Sequence, residues 1–156
     1  QFSYQEMAEQ AASLHAFLQE IDLNHDRFNN PKNMIEEIQA ACRESGQPIP
    51  KTVGELVMCV YSNLARIYAR ELKQLEDLSG KTIDYLHVVG GGSNVSLLNQ
   101  LTANLIGKEV IAGPGEATAI GNILVQMISV GEFENLSQAR HWLASSSSFE
   151  CYRPQI

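Results

Sequence analysis

The chain has 156 residues, 44% of them hydrophobic, which is enough for one domain of ordinary size with a packed core. Its formal net charge of −7 and the lack of a basic stripe exclude a protein that binds nucleic acid through a positive field. No apolar run could span a membrane and no secretory signal is present, so we predict a cytoplasmic protein without membrane partners. Because the chain begins at Gln1 rather than Met, we expect it to be a piece of a longer protein.

The cysteine pattern indicates a reducing compartment. Three cysteines at scattered positions, Cys42, Cys59 and Cys151, do not make a disulfide scaffold. Cys42 and Cys59 fall on two neighbouring predicted helices and could face one another, so a disulfide between them is one expectation and two reduced thiols are the other. The four histidines have no second ligand at metal spacing, which predicts no metal site made by the protein.

Helix caps mark the first two predicted helices. Ser3 and Glu6 form a capping box, and apolar residues at helical spacing extend the first helix to about Ile21. A polar loop follows it. The second helix is predicted to start at Asn30-Pro31, a cap followed by a first-turn proline, and to end at Gly46.

The third predicted helix is the longest. Thr52 and Glu55 form a second capping box, and the helix runs from Val53 to about Leu78, with Ser79-Gly80 ending it. We expect one apolar stripe of this helix to face the core, made of Leu56, Val57, Val60, Leu64, Ile67, Leu72, Leu75 and Leu78.

Strand and helix patterns alternate in the second half. The β-branched run from Ile83 to Val89 predicts a buried strand. Three glycines follow, and then a helix is predicted from about Val95 to Ile106, with Ser93 or Asn94 as its cap and Gly107 at its end.

The remaining elements repeat this order. Residues 109–112 predict a second strand, and the turn Gly113-Pro114-Gly115 leads into a helix from about Glu116 to Val130. A short helix is predicted around Ser137 to Leu143, followed by a solvated serine-rich tail.

The predicted fold class is α/β, with a single, partial domain over residues 1–156. Its helical part covers about residues 3–80, its β-α-β-α part about 82–131, and its last helix and tail 132–156. Two strands are few for a sheet, so we expect further strands of the same sheet upstream, outside the chain.

The glycines Gly90 to Gly92 between strand and helix have two explanations. They could make a tight turn that needs positive φ angles. They could also let a phosphate-bearing ligand lie against main-chain amides at the start of a helix. Val95 stands where the dinucleotide fingerprint requires its third glycine, and no P-loop sequence occurs, so neither common nucleotide motif is present.

Two residues of the following helix have structural interpretations. Gly121 lies inside the helix, where glycine usually permits close packing, and we expect a close approach of a neighbouring element there. Glu116 is predicted to be a first-turn carboxylate that interacts favourably with the helix dipole rather than an acid catalyst.

The segments V-V-G-G-G-S-N-V-S-L-L-N-Q-L and V-I-A-G-P-G-E-A-T-A-I-G-N resemble the C-terminal domain of the FGGY carbohydrate kinases. Upstream, D-R-F-N-N-P and E-I-Q-A-A-C-R-E-S-G-Q-P-I-P resemble one member of that family in particular. The resemblance covers the chain from about Asp22 to Phe149. It implies the C-terminal part of an actin-like ATPase domain, with a ribonuclease H-like sheet that is incomplete in this chain.

The resemblance also implies a cofactor and its contacts. FGGY kinases transfer a phosphoryl group from ATP with Mg²⁺ to a sugar hydroxyl in a cleft between two domains. By this resemblance ATP or ADP contacts Gly91 first, then Gly90, Gly92 and Asn94, with Asn99 as a further candidate near the adenine.

The resemblance places the rest of the catalytic machinery outside this chain. The aspartate that takes the sugar's proton, the first phosphate-binding loop and the sugar contacts belong to other regions of such kinases, so no catalytic residue is assigned here. We therefore predict that the chain alone has no kinase activity, and that a sugar binds only with the missing N-terminal domain. A domain separated from its neighbours exposes strand edges, so self-association is also expected.

Within the family, a kinase that acts on xylulose or fuculose is an alternative. Two functions of other classes also remain open. A non-catalytic helical interaction module is favoured if the long helix exposes its apolar stripe. A dinucleotide-dependent oxidoreductase domain is the other alternative, against which Val95 argues. Titration with ADP and with NAD distinguishes the three.

Overall fold

The computed structural model describes residues 3–14 and 19–155. The chain forms two compact units, Gln1–Thr82 and Ile83–Ile156. The first is helical and the second combines helices with a small sheet, so the predicted α/β class is confirmed. None of the described helices is both long and apolar enough to cross a membrane.

In its described residues the first unit has three α-helices, α1 (Tyr4–Ala12), α2 (Met34–Glu44) and α3 (Val53–Ser79), and a 3-10 turn at Asp26–Phe28. Both predicted capping boxes are present. The hydroxyl of Ser3 accepts from the N–H of Glu6, and Thr52 and Glu55 make the same reciprocal pair at α3. Glycine ends α3 as predicted, because Gly80 adopts a left-handed conformation with φ of +65°.

The end of α1 differs from the sequence prediction, which carried this helix to about Ile21. The helix ends at Ala12, and residues 15–18 of the predicted continuation lie outside the described residues. Beyond them the backbone bonds to side chains instead of to a helix. The N–H of Glu20 donates to Gln47, and the N–H of Ile21 donates to the buried Asn63 of α3.

The start of α2 also differs. Asn33, not Asn30, caps this helix, with its side-chain oxygen accepting from the N–H groups of Ile35 and Glu36. Asn30 has a φ of +65°, which takes Pro31 out of the helix that it was predicted to open. The prediction was wrong because a second asparagine three residues later satisfies the helix N–H groups better.

The core of the first unit lies between α2 and α3. Ile38, Cys42 and Cys59 are buried there, and Ile21, Phe28, Leu56 and Val60 pack around them. The two cysteines face one another in side-chain contact, but both are free thiols. The expectation of a disulfide between Cys42 and Cys59 is therefore not met. Buried neutral thiols pack as small apolar groups and need no bridge to be stable there.

Only part of the predicted stripe of α3 is buried. Leu72 is the buried member of the stripe, its residues from Leu56 to Ile67 are half-buried, and Leu75 and Leu78 are 57% and 86% exposed. Near its start α3 instead packs tightly on α1 through Gly54. A Cβ atom at this position would lie 2.7 Å from the carbonyl oxygen of Gln10. Glycine is thus required where the two helix backbones meet.

The second unit has the order β1 (Tyr85–Val88), 3-10 helix (Gly90–Asn94), α4 (Ser96–Ile106), β2 (Glu109–Ala112), α5 (Ala117–Ser129), α6 (Leu136–Ser146) and β3 (Glu150–Tyr152). The sheet order is β1-β2-β3. β1 is parallel to β2, with Tyr85 opposite Glu109, and β3 is antiparallel to β2, with Cys151 opposite Ile111. The buried apolar residues of this unit are Leu98, Ala103, Val110, Ala112, Leu124 and Ala139.

The C-terminal segment is a strand and not the predicted solvated tail. Two of its serines extend α6, and residues 150–152 pair with β2. The amide of Gln100 on α4 donates to the carbonyl of Arg153 at 2.8 Å, and the N–H of Gln155 donates to Asn104 at 2.8 Å. These contacts join residues about fifty apart, which the local composition of the segment could not indicate.

The start of α4 also differs from the sequence prediction. The residue at the cap position is Val95, and no side chain makes a capping hydrogen bond. Ser93 and Asn94, the two predicted caps, belong to the preceding 3-10 helix. The 3-10 helix leads directly into α4. Ser93 and Asn94 therefore lie within it, and neither is at the cap position of α4.

Candidate functional site

The two glycine turns of the second unit, after β1 and after β2, are joined by backbone hydrogen bonds. The N–H of Gly113 donates to the carbonyl of Val88 at 2.9 Å, and the N–H of Gly90 donates to the carbonyl of Pro114 at 3.0 Å. The pairing of β1 with β2 therefore continues into both turns. His87 braces the second turn through a 2.7 Å contact between its Nε2 and the carbonyl of Gly113.

The three glycines after β1 differ in what the fold demands of them. Gly90 has a φ of +75°, a left-handed conformation that favours glycine. Gly91 has no such angle, and a Cβ atom there would meet nothing within 4 Å. At Gly92 the nearest atom to a Cβ would be the Cγ1 of Val88 at 3.7 Å, an ordinary contact. The turn thus needs glycine at residue 90 and leaves the bare backbone at 91 and 92 unexplained.

The N–H of Gly91 is also left without an acceptor. In a 3-10 helix that starts at Gly90, the first two N–H groups have no carbonyl partner within the helix. Gly90 uses the carbonyl of Pro114, but the described residues place no acceptor at the N–H of Gly91. An exposed donor on a residue without a side chain can be reached by a ligand.

Two buried polar residues, Ser93 and Asn99, make hydrogen bonds to the backbone of this turn. The hydroxyl of Ser93 donates to the carbonyl of Gly90 at 2.7 Å. Asn99 on α4 is 1% exposed, and its amide donates to the carbonyl of Ser93 at 3.0 Å and to that of Gly92 at 3.5 Å. Asn99 therefore supports the backbone of the turn, and its side chain does not lie on the exposed surface.

A polar cleft of about 300 Å³ opens beside the turns. It is lined by Ser93, Asn94, Ser96, Ala112, Gly113, Gly115, Ser148 and Glu150. Asn94 and Gly115 are adjacent across it, because a Cβ atom at Gly115 would lie 3.3 Å from the Nδ2 of Asn94. A side chain at residue 115 would require the amide of Asn94 to shift slightly.

The segment before and within β3 supplies the third side of the cleft. The hydroxyl of Tyr152 donates to a carboxylate oxygen of Glu150. Burial raises the pKa of Tyr152, and its hydrogen bond to Glu150 raises it further, while hydrogen bonds with Ser96 and Asn99 lower it. The carboxylate of Glu150 is thus tied through Tyr152 to the residues that carry the glycine turn.

Other candidates from the sequence have ordinary surroundings. Gly121 is exposed and a Cβ atom there would meet nothing within 4 Å, so the close approach expected at this helix glycine is absent. Glu116 sits at the cap position of α5 and makes no side-chain capping bond. The described residues contain no group of three or more His, Cys, Asp or Glu side chains placed to hold a metal ion.

Residues 2–130 match the model of the FGGY family of carbohydrate kinases, C-terminal domain. The chain belongs to this family. Its predicted membership is confirmed, and the FGGY match covers both the helical unit and the two glycine turns.

Three proteins that are similar in sequence to this chain are all named rhamnulokinase. The chain is 51% identical over 155 residues to the rhamnulokinase of Ligilactobacillus salivarius and 50% identical over 155 residues to that of Lactiplantibacillus plantarum, covering 99% of this chain in each case. It is 48% identical over 154 residues to the rhamnulokinase of Bacillus subtilis. The chain spans about a third of these relatives, 32% of their length. Rhamnulokinase is also the FGGY member that the segments between Asp26 and Pro50 resemble.

Of the residues that line the cleft, Asn94 was predicted from the sequence, whereas Gly115, Ser148 and Glu150 were not. The predicted glycines Gly90 to Gly92 belong to the adjacent turn and do not line the cleft. A signal for Gly115 existed, because the carboxyl ends of neighbouring parallel strands meet at one edge of a sheet. Ser148 and Glu150 had none, since they reach the cleft only through the pairing of β3 with β2.

Proposed function

We propose that this FGGY chain forms the nucleotide side of a sugar kinase, a rhamnulokinase that transfers a phosphoryl group from ATP to the 1-hydroxyl of L-rhamnulose in the cytoplasm. ATP or ADP lies against Gly91, with Gly90, Gly92 and Asn94 beside it. Asn99 acts through its hold on the turn, as a positioning residue. The whole chain belongs to the nucleotide-side domain of a two-domain kinase with an actin-like, ribonuclease H-like sheet completed by other parts of the protein.

The bare backbone at Gly91 carries the proposal. The fold requires no glycine there, since φ is not positive and a side chain would have room. Its N–H is exposed to a ligand and has no acceptor among the described residues. A nucleotide that lies flat on this backbone would account for both observations.

The residues of this chain bind and orient the nucleotide. Its phosphates would face main-chain N–H groups, which stabilise negative charge without a basic side chain. Mg²⁺ would enter with the phosphates, since the described residues include no ready set of ligands for it. When bound, ATP with Mg²⁺ supplies the phosphoryl group and neutralises its charge, while positioning of the sugar falls to the other domain.

Calorimetric titration with ADP tests the proposal. We expect the wild-type chain to bind ADP in preference to NAD, and Gly91→Val to lose at least tenfold in affinity because its side chain occupies the nucleotide's place. Gly121→Val, also an exposed glycine with open surroundings, is the matched control and should bind like the wild type. Equal binding of ADP by Gly91→Val and the wild type would contradict the proposed contact.

A further inference from the structure

The cleft beside the glycine turns contains one carboxylate whose role the phosphate contacts do not explain. Glu150 lines the cleft together with Ser93, Asn94 and Gly115. It is the charged member of the described lining, so the cleft has no basic side chain to balance it. A carboxylate repels phosphate groups, and this part of the cleft therefore suits a neutral, hydrogen-bond-donating part of a ligand.

The carboxylate of Glu150 is exposed and receives a hydrogen bond from one neighbouring side chain. Tyr152 donates its hydroxyl proton to Oε2, and Tyr152 in turn contacts Ser96 and Asn99. None of the described residues donates a hydrogen bond to Oε1 of Glu150. One oxygen is thus occupied by the protein, and the other is available to a ligand.

We propose that Glu150 accepts a hydrogen bond from a ribose hydroxyl of the bound nucleotide, an inference that rests on the nucleotide function proposed above. An ionised carboxylate only accepts hydrogen bonds, and the two ribose hydroxyls are neutral donors close to the phosphates. Dinucleotide-binding folds use an acidic residue on a ribose hydroxyl for the same chemical reason. Here the acidic residue comes from β3, on the far side of β2 from the glycine turn.

The arrangement fixes how the nucleotide lies. Its ribose faces Glu150 and Ser148 in the cleft, while its phosphates stay with the main chain of the glycine turn, which joins the cleft lining at Ser93 and Asn94. The same carboxylate excludes nucleotides with a phosphate on the ribose, because two negative charges would meet in a cleft that lacks a compensating cation among its described lining residues.

The test compares ADP, 2′-deoxy-ADP and 3′-deoxy-ADP by calorimetry on the wild-type chain and on Glu150→Ala. We expect the wild type to bind at least one deoxy analogue about tenfold more weakly than ADP, as for loss of a hydrogen bond to a charged group. Glu150→Ala should bind ADP about tenfold more weakly and no longer distinguish that analogue from ADP. Glu132→Ala removes an exposed carboxylate outside the cleft in the same unit and should behave as the wild type.

Two further variants distinguish a failure of the ribose contact from a failure of the proposed nucleotide binding. Glu150→Gln keeps an acceptor for Tyr152, so it replaces Glu150→Ala if the alanine variant fails to fold, and it should bind a ribose 2′-phosphate analogue better than the wild type does. Wild-type binding of both deoxy analogues as tightly as ADP, or unchanged discrimination in the Glu150 variants, would overturn the ribose contact. If Gly91→Val loses ADP but the Glu150 variants do not, only this inference fails; if the wild type binds no ADP, the proposed function fails with it.

Discussion

Gly90 and Gly91 are neighbours, yet the structure gives their missing side chains different causes. Gly90 has a φ of +75°, which an L-residue reaches only with strain, while Gly91 has an ordinary φ and open space around its Cα. The first glycine serves the turn, and the second is free to serve a ligand. Substituting each glycine separately distinguishes the two roles, because the free energy of unfolding and the affinity for ADP can be measured independently.

Alanine at each position should therefore affect a different quantity. Gly90→Ala should lower the free energy of unfolding by about 1–2 kcal/mol, the cost of a left-handed non-glycine residue. Gly91→Ala should leave it unchanged or raise it by up to about 1 kcal/mol, and should weaken ADP binding. Urea denaturation followed by circular dichroism measures the first quantity. Equal destabilisation by both substitutions would show that the turn needs glycine at Gly91 as well.

The buried thiols give a prediction about reactivity and pH. Burial raises the pKa of Cys59 from 9.0 to about 12, and burial also raises that of Cys42. Near pH 8, a thiol reagent should label only Cys151 in the folded chain and all three cysteines in denaturant. Rapid labelling of three thiols in the folded chain would contradict the burial of this pair.

The same pKa of Cys59 sets an alkaline limit on stability. The neutral thiol is preferred in the folded state, so its contribution is fully present below about pH 9, the ordinary pKa, and is lost as the pH rises toward about 12. Cys59→Ala should show a shallower loss of stability over this interval in pH-dependent denaturation. An identical slope in the wild type would mean that Cys59 titrates normally.

At the scale of elements, the contact between α1 and α3 depends on a single glycine. A Cβ atom at Gly54 would lie 2.7 Å from the backbone oxygen of Gln10, which cannot move aside as a flexible side chain could. Gly54→Ala should therefore lower the melting temperature, at a cost of about 1–3 kcal/mol. Gly121→Ala, in an exposed helix position, should stabilise by up to about 1 kcal/mol. Stabilisation by both substitutions would contradict the packing of α1 on α3.

A buried amide links α3 to the segment that follows the undescribed residues 15–18. Asn63 donates to the carbonyl of Gln19 at 2.7 Å and accepts from the N–H of Ile21 at 3.0 Å. Asn63→Leu leaves both backbone groups without their partner, so we expect a loss of about 2–4 kcal/mol in unfolding free energy. A change below about 0.5 kcal/mol in urea denaturation would argue against this anchor.

Sequence patterns correctly predicted the features that are determined by residues close together in the chain. The capping boxes at Ser3 and Thr52 and the glycine at the end of α3 were predicted correctly, because each depends on residues within one turn. The non-helical backbone of residues 19–21 and the whole of β3 were not, since hydrogen bonds with Asn63 and pairing with β2 determine them over long sequence distances. For the same reason the glycine turn after β1 was predictable and the position of Glu150 was not.

At the scale of the whole molecule, this chain is about a third of the kinases that it resembles, 32% of their length. Phosphoryl transfer requires groups on both sides of the nucleotide and the sugar. We therefore expect no release of ADP above background when the chain is mixed with ATP, Mg²⁺ and L-rhamnulose. Measurable turnover by the purified chain would contradict the proposed division of labour.

We also expect the chain to self-associate. Within the described residues, β1 pairs on one side only, and exposed apolar side chains include Ile123, Val125, Val130 and Trp142. Unpaired strand edges and apolar surface favour contacts between copies. Sedimentation velocity should show a sedimentation coefficient that rises with concentration. A coefficient that falls slightly or stays constant, as for a monomer, would rule this out.

Backbone amide NMR during titration with ADP shows whether a nucleotide lies on the main chain at Gly91. We expect the largest shifts at Gly91, Gly92 and Asn94, with a smaller response at Glu150, while the amides of α3 stay unchanged. Shifts confined to the first unit, with the Gly91 resonance unmoved at saturating ADP, would contradict this placement of the nucleotide.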